Sequence, residues 1–281
     1  MNSDNQIFSF SRYGLCLKHY VGENWKRLAL QALLVITTLM VMACIIGRLN
    51  FYQYERPWND YHASGYFDPV LSVELGTFTF LFFVLGAASV SLMFWEAATK
   101  EGRMKVLVSP FSQAEKFWSR FTVYFFGFIV VFFIGVLVGD AARILVTKCF
   151  SDFAPWTQSI TAYLNLLDMS RDALIAMNIF LMMFLFTMSW FILGAVVWPK
   201  NAFIKTFATL VLLTIVMVII SSISTAMFLS EGTWMPRFIS KEDVDTCSVL
   251  WRMWTLTVVA SSIPCAVAYW RFKDMELINR W

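Results

Sequence analysis

Six stretches of this chain, residues 28–47, 75–95, 121–139, 173–198, 206–230 and 253–270, contain no Asp, Glu, Lys or Arg at all. Each is continuously apolar and long enough for a helix, rising about 1.5 Å per residue, to cross a hydrocarbon core of about 30 Å. Lipid offers no hydrogen-bond partners, so a crossing segment pairs its backbone groups internally or closes into a barrel. Barrel strands would alternate in and out over ten residues, and these runs do not. The pattern therefore predicts an all-α polytopic membrane protein: one transmembrane domain over 1–281, with six spans at those positions. Ahead of the first span, Phe10, Tyr13, Leu17 and Val21 recur at helical spacing, with Arg12, His19 and Glu23 on the other side. That spacing predicts an amphipathic helix lying in the membrane interface and leading into span one. The charged arm before span one has no small-residue cleavage site, so a retained anchor is expected and not a signal peptide.

The charges lie in the connections, and unevenly. The N-terminal arm, the 96–120 and 199–205 connections and the C-terminal tail carry 14 Lys and Arg in 70 residues. The connections at 48–74, 140–172 and 231–252 carry 8 in 82, together with 12 of the 19 acids. By the positive-inside rule the first set faces the cytoplasm, both termini included. Trp25, Trp95, Trp118, Trp198 and Trp270 fall at the boundaries on that side, where indole rings favour the headgroup layer. Composition agrees: 59% of residues are apolar and 15% charged, against about 25% charged in a soluble domain. The net charge of +3 is too small to imply nucleic-acid binding.

Candidate chemistry within the spans is sparse. Gly135 and Gly139 form a small-xxx-small pattern in span three, a possible dimer face, and Gly86, Ala87 and Ala88 are similar in span two. Ser221, Ser222, Ser224 and Thr225 either bond back to their own helix or line a wet cavity, and Pro264 is expected to kink span six. Asp140 and Arg143 are spaced to pair on one helical face, by default as a surface ion pair, with an outer-gate role as the alternative. Cys149 and Cys247 fall in connections on the same side, either as free thiols or as a disulfide. The only histidines, His19 and His62, lie on opposite sides of the expected membrane, so no metal pair is predicted. No glycine-rich phosphate cradle ending in Gly-Lys-Ser/Thr occurs, so nucleotide chemistry would belong to a partner. No cofactor is expected.

The most informative segment is 96–120. Span two is expected to continue as a charged helix to Gly102, acting as a C-terminal stop. An apolar turn with Met104, Val106, Leu107 and Val108 follows. Pro110 breaks the helix, and Ser112 with Glu115 forms a capping box that starts span three. This leaves apolar side chains facing the cytoplasm, where only a protein partner or the lipid surface could cover them.

The order Glu, Glu-Gly, an aliphatic pair, Ser-Pro, Glu-Lys and a terminal basic residue resembles the first cytoplasmic loop of type-2 ATP-binding-cassette (ABC) exporter permeases, and is similar to permease-like members from Bacteroidetes-type bacteria. The resemblance covers the whole topology, but its specific residues lie within 96–120. It places Glu96, Glu101, Gly102, Leu107, Ser109, Pro110, Glu115 and Arg120 at motif positions. It implies a coupling helix docked in a cleft of a separate cytosolic ATPase, a second permease chain, identical or related, and a bacterial inner-membrane location. The chain departs from the family in having Arg103 where Thr often follows Glu-Gly. Its longest outside connection is also 140–172, not the one between spans five and six.

Three function classes follow. The first is a permease subunit exporting an amphipathic or lipid-like solute, not itself an enzyme. The second is a non-transport assembly or sensor protein that binds a cytosolic partner through 96–120, distinguished by whether a cassette ATPase is encoded beside it. The third, an intramembrane enzyme, lacks a nucleophile, acid–base pair or metal constellation.

Overall fold

The computed structural model describes residues 8–49, 69–150, 159–161, 171–230 and 246–274. The regular elements among the described residues are all helical, with no strand. Six helices, Phe10–Leu49, Val70–Ser91, Gln113–Cys149, Ile175–Val197, Ala202–Ile223 and Met253–Asp274, are long and apolar enough to cross a membrane. The chain is an all-α polytopic membrane protein. It divides into two compact units, one drawn from Met1–Val90 and Pro110–Leu174, the other from Ser91–Ser109 and Ile175–Trp281.

The first unit is built on α1 (Phe10–Leu49), α2 (Pro69–Ser91) and a long rod made of α4 (Gln113–Phe121), a π-helical turn (Thr122–Phe126) and α5 (Gly127–Phe150). α1 is one unbroken helix of 40 residues, so the expected interfacial helix is the first part of α1 and not a separate element. It runs parallel to the rod from end to end. Ser9 meets Glu115 at the start, and Gly47 meets the stem of Arg143 near the finish.

Gly135 and Gly139 set the spacing in the upper half of this seam. A Cβ on Gly139 would lie 3.2 Å from the Leu39 carbonyl oxygen, and one on Gly135 would lie 2.6 Å from the Leu39 side chain. The small-xxx-small pair thus seats α1 within the same chain, so the expected dimer face is occupied by an intramolecular contact. In lipid, where apolar side chains gain nothing by leaving tails for one another, close backbone approach is what glycine supplies. α2 also packs on the rod, through large rings: Phe82 lies 4.9 Å from Phe132 and 5.7 Å from Phe128, centroid to centroid.

The second unit holds the short α3 (Lys100–Val108), α6 (Arg171–Val197), α7 (Ala202–Ser230) and α8 (Thr246–Asp274). α6 and α7 form a tight hairpin. Asn201 takes the left-handed backbone (φ 61°) that Asn tolerates better than most residues. Gly194 leaves room for the Thr206 side chain, and Phe191 stacks on Phe203 at 5.7 Å. The Trp254 indole N–H donates to Asn178 Oδ1 at 3.0 Å, joining α8 to α6.

Side chains 211–223 of α7 are all exposed, as expected of a helix that is apolar all round and faces lipid. The Ser221 and Ser222 hydroxyls donate back to the Val218 carbonyl of their own helix at 2.9 and 2.8 Å; the Ser224 and Thr225 side chains lie outside the described residues. Pro264 sits inside α8. Cys149 is a free, exposed thiol. The Cys247 side chain and His62 lie outside the described residues.

Candidate functional site

Span two does not run on to Gly102. Its helix ends at Ser91, a 3-10 turn covers Trp95–Ala98, and a new helix, α3, begins after Thr99. Gly102 is in the first turn of α3, not at a helix stop. Its N–H donates to Thr99 Oγ1 at 3.1 Å, the bond by which an N-cap threonine satisfies an orphan amide. A Cβ on Gly102 would collide with the Glu96 carbonyl and lie 2.9 Å from the Thr99 hydroxyl. Glycine is therefore required because the turn folds back onto the helix start. The sequence pattern missed this because the N-cap signal was a single threonine beside a long charged run.

α3 is an elbow with one apolar stripe. Glu101, Met104 and Val108 share its exposed face, with Met104 61% and Val108 83% exposed. Ser109 caps the end, its hydroxyl donating to Val106 O at 2.9 Å, and the exposed Pro110 prevents continuation. The Leu107 side chain lies outside the described residues.

Past Pro110 the expected capping box is present. The Glu115 N–H donates to Ser112 Oγ at 3.3 Å, and the Ser112 N–H to Glu115 Oε2 at 2.9 Å. Glu115 does more than cap α4. Its other oxygen, Oε1, accepts the Ser9 N–H at 3.0 Å and lies 3.3 Å from Arg12 Nε. One carboxylate, 0% exposed, thus closes the N-termini of two parallel helices, where both dipoles favour a negative charge. The Ser112 and Ser9 amides and the Arg12 guanidinium all favour its charged form, which offsets the cost of burying it.

Around this point α1 meets α4 through polar groups. The Tyr13 hydroxyl bonds Thr122, Cys16 Sγ lies 3.5 Å from Ser119 Oγ, and the Tyr20 hydroxyl donates to that of Tyr124 at 3.4 Å. Arg120 is buried, with its guanidinium 5.2 Å from the centre of the Tyr20 ring. Of the four apolar residues expected on the interfacial face, Phe10 is 84% exposed and Val21 is also exposed, while Tyr13 and Leu17 are half-buried. The side turned to α4 carries Arg12, Cys16 and Tyr20 instead, drawn inward by Glu115 and its neighbours.

The motif residues therefore separate into two groups. Glu101 and Pro110 are exposed at the elbow, whereas Glu115 and Arg120 are buried against α1.

A second polar cluster lies at the opposite end of the same unit. Arg143, 1% exposed, bonds Asp140 Oδ1 at 2.9 Å and reaches Glu74 Oε2 on α2 at 2.7 Å. Asp140 Oδ2 accepts the Ile160 N–H at 2.9 Å. The expected surface ion pair is thus a buried cluster, and its members Glu74, Asp140 and Arg143 lie within the helices Val70–Ser91 and Gln113–Cys149, just beyond the charge-free stretches. The helices run past their first charges because those charges neutralise one another between helices, which removes most of the penalty of burial.

No group of three or more potential metal ligands occurs among the described residues. No protein-family model, no curated protein and no solved structure matches the chain.

Proposed function

We propose that this chain is the membrane-spanning permease subunit of an ABC-type exporter, working as one of two permease chains with a separate cytosolic ATPase. The observation that carries the reading is the α3 elbow. It is a short, separately capped helix whose exposed stripe of Met104 and Val108 is bordered by Glu101. Exposed apolar side chains on a charged connection call for a partner, and the surrounding excess of Lys and Arg puts that partner in the cytoplasm. On this reading both termini lie on the cytoplasmic side of a bacterial inner membrane. The long apolar helices suit a solute that slides along uncharged walls, hence an amphipathic or lipid-like molecule moved outward. ATP hydrolysis belongs to the partner, because the chain has no phosphate-binding loop.

The test compares the native chain with the double variant Met104→Glu, Val108→Glu after purification in mild detergent. The native chain is expected to bring down an ATPase whose turnover it stimulates, and the variant to reach the membrane at the same level without it. An ATPase retained by the variant, or a native chain with none, refutes the reading. Retention of some other cytosolic protein would point to an assembly or sensor role.

A further inference from the structure

We infer that the first three turns of α1 form a strap that latches onto α4 through the Glu115 carboxylate and can detach, uncovering the buried thiol of Cys16. Two independent observations support this. First, a run of polar contacts joins this part of α1 to α4 and the turn that follows it: Ser9 and Arg12 to Glu115, Tyr13 to Thr122, Cys16 to Ser119, and Arg120 over Tyr20. Water can replace such bonds at little net cost, since a typical one contributes about 1 kcal/mol over its hydrated alternative. The strap also precedes the charge-free stretch at 28–47, so it can meet water.

Second, Gly14 and Gly22 stand within and just after the strap, and nothing lies within 4 Å of where a Cβ would be on either. Glycine in a helix interior weakens it relative to Ala. Gly47, Gly135 and Gly139 repay that by admitting a neighbour, but Gly14 and Gly22 admit none. Their effect is to soften the helix within the latch and at its end.

Glu115 is the residue that decides the state, because it holds the Ser9 amide and Arg12 from α1 and the Ser112 amide from α4 at once. Cys16 is the natural reporter, 5% exposed and enclosed by Glu115 and Ser119. The inference is independent of the transport reading, since it concerns only α1 and α4 and is measured on the isolated chain.

The experiment follows alkylation of Cys16 by a charged maleimide in lipid nanodiscs, with site-resolved mass spectrometry, and with Cys44 on the same helix as the control for global loosening. The native chain is expected to react slowly at Cys16. Glu115→Gln should react about tenfold faster there, with Cys44 unchanged. Gly22→Ala, which stiffens the helix, should slow Cys16 about fivefold relative to native. If Glu115→Gln does not assemble, Arg12→Gln takes its place with the same expected direction. Equal Cys16 rates in the native and Glu115 or Arg12 variants, a parallel rise at Cys44, or no slowing in Gly22→Ala would each overturn the strap and leave this segment a fixed strut.

Discussion

α1 and the α4–α5 rod lie side by side along their whole length, yet the two halves of the seam are made of opposite materials. From Ser9 to Tyr20 the helices are joined by a carboxylate, hydroxyls, a thiol and a guanidinium. From Ile36 to Gly47 they are joined by close approach, with Gly135 and Gly139 seated on Ile36 and Leu39 and Gly47 seated on Arg143. The difference follows the solvent. Where residues 28–47 and 121–139 are free of charge, lipid surrounds the pair and tight backbone packing is the available attraction. Where charges resume, water can compete, and directional bonds fix the register. The π-helical turn Thr122–Phe126 sits at the change of material. There Ser89 of α2 donates to the Tyr124 carbonyl at 3.0 Å.

The largest effect should come from the far end of the seam. Arg143→Leu leaves Glu74 and Asp140 buried beside each other without this guanidinium, at a cost of about 3–5 kcal/mol. Thermal unfolding in detergent should fall accordingly, and Glu74→Gln in the same chain should restore part of the loss. If Arg143→Leu were neutral, the cluster would be well solvated and not a structural staple.

Next comes the glycine contact. Gly139→Val pushes a side chain into the Leu39 backbone and should destabilise by about 1–3 kcal/mol, read as a lower unfolding midpoint, whereas Gly76→Val, with nothing within 4 Å of its Cβ position, should cost much less.

A smaller change is expected in the polar half. Tyr20→Phe removes the hydroxyl bond to Tyr124, worth about 1 kcal/mol, and should raise hydrogen exchange in the strap without altering exchange around Leu39.

Much of this was legible in the chain. The six spans stand out because charge in lipid is costly enough to leave long gaps, and the Ser112–Glu115 box was readable because its partners are three residues apart. Long-range pairing was not. Glu74 lies 69 positions before Arg143, and a charge at the edge of an apolar run looks the same whether it faces water or a partner helix. Glu115 could be named as a cap of α4 but not of α1, because that role is contributed by a chain start more than 100 residues away. Gly102 was misplaced since a glycine inside a charged run reads equally well as the end of one helix or the tight start of another. The glycine pair in α5 announced a close neighbour without saying which one.

The most direct test of the account is the side of the membrane on which the elbow lies. Spheroplasts carrying Met104→Cys would be treated with a membrane-impermeant maleimide, with the exposed native Cys149 as the marker of the other face. The account predicts that Cys149 reacts in sealed spheroplasts and that position 104 reacts only after they are permeabilised. Reaction at position 104 while the membrane is sealed would contradict it, because no cytosolic ATPase could then reach α3.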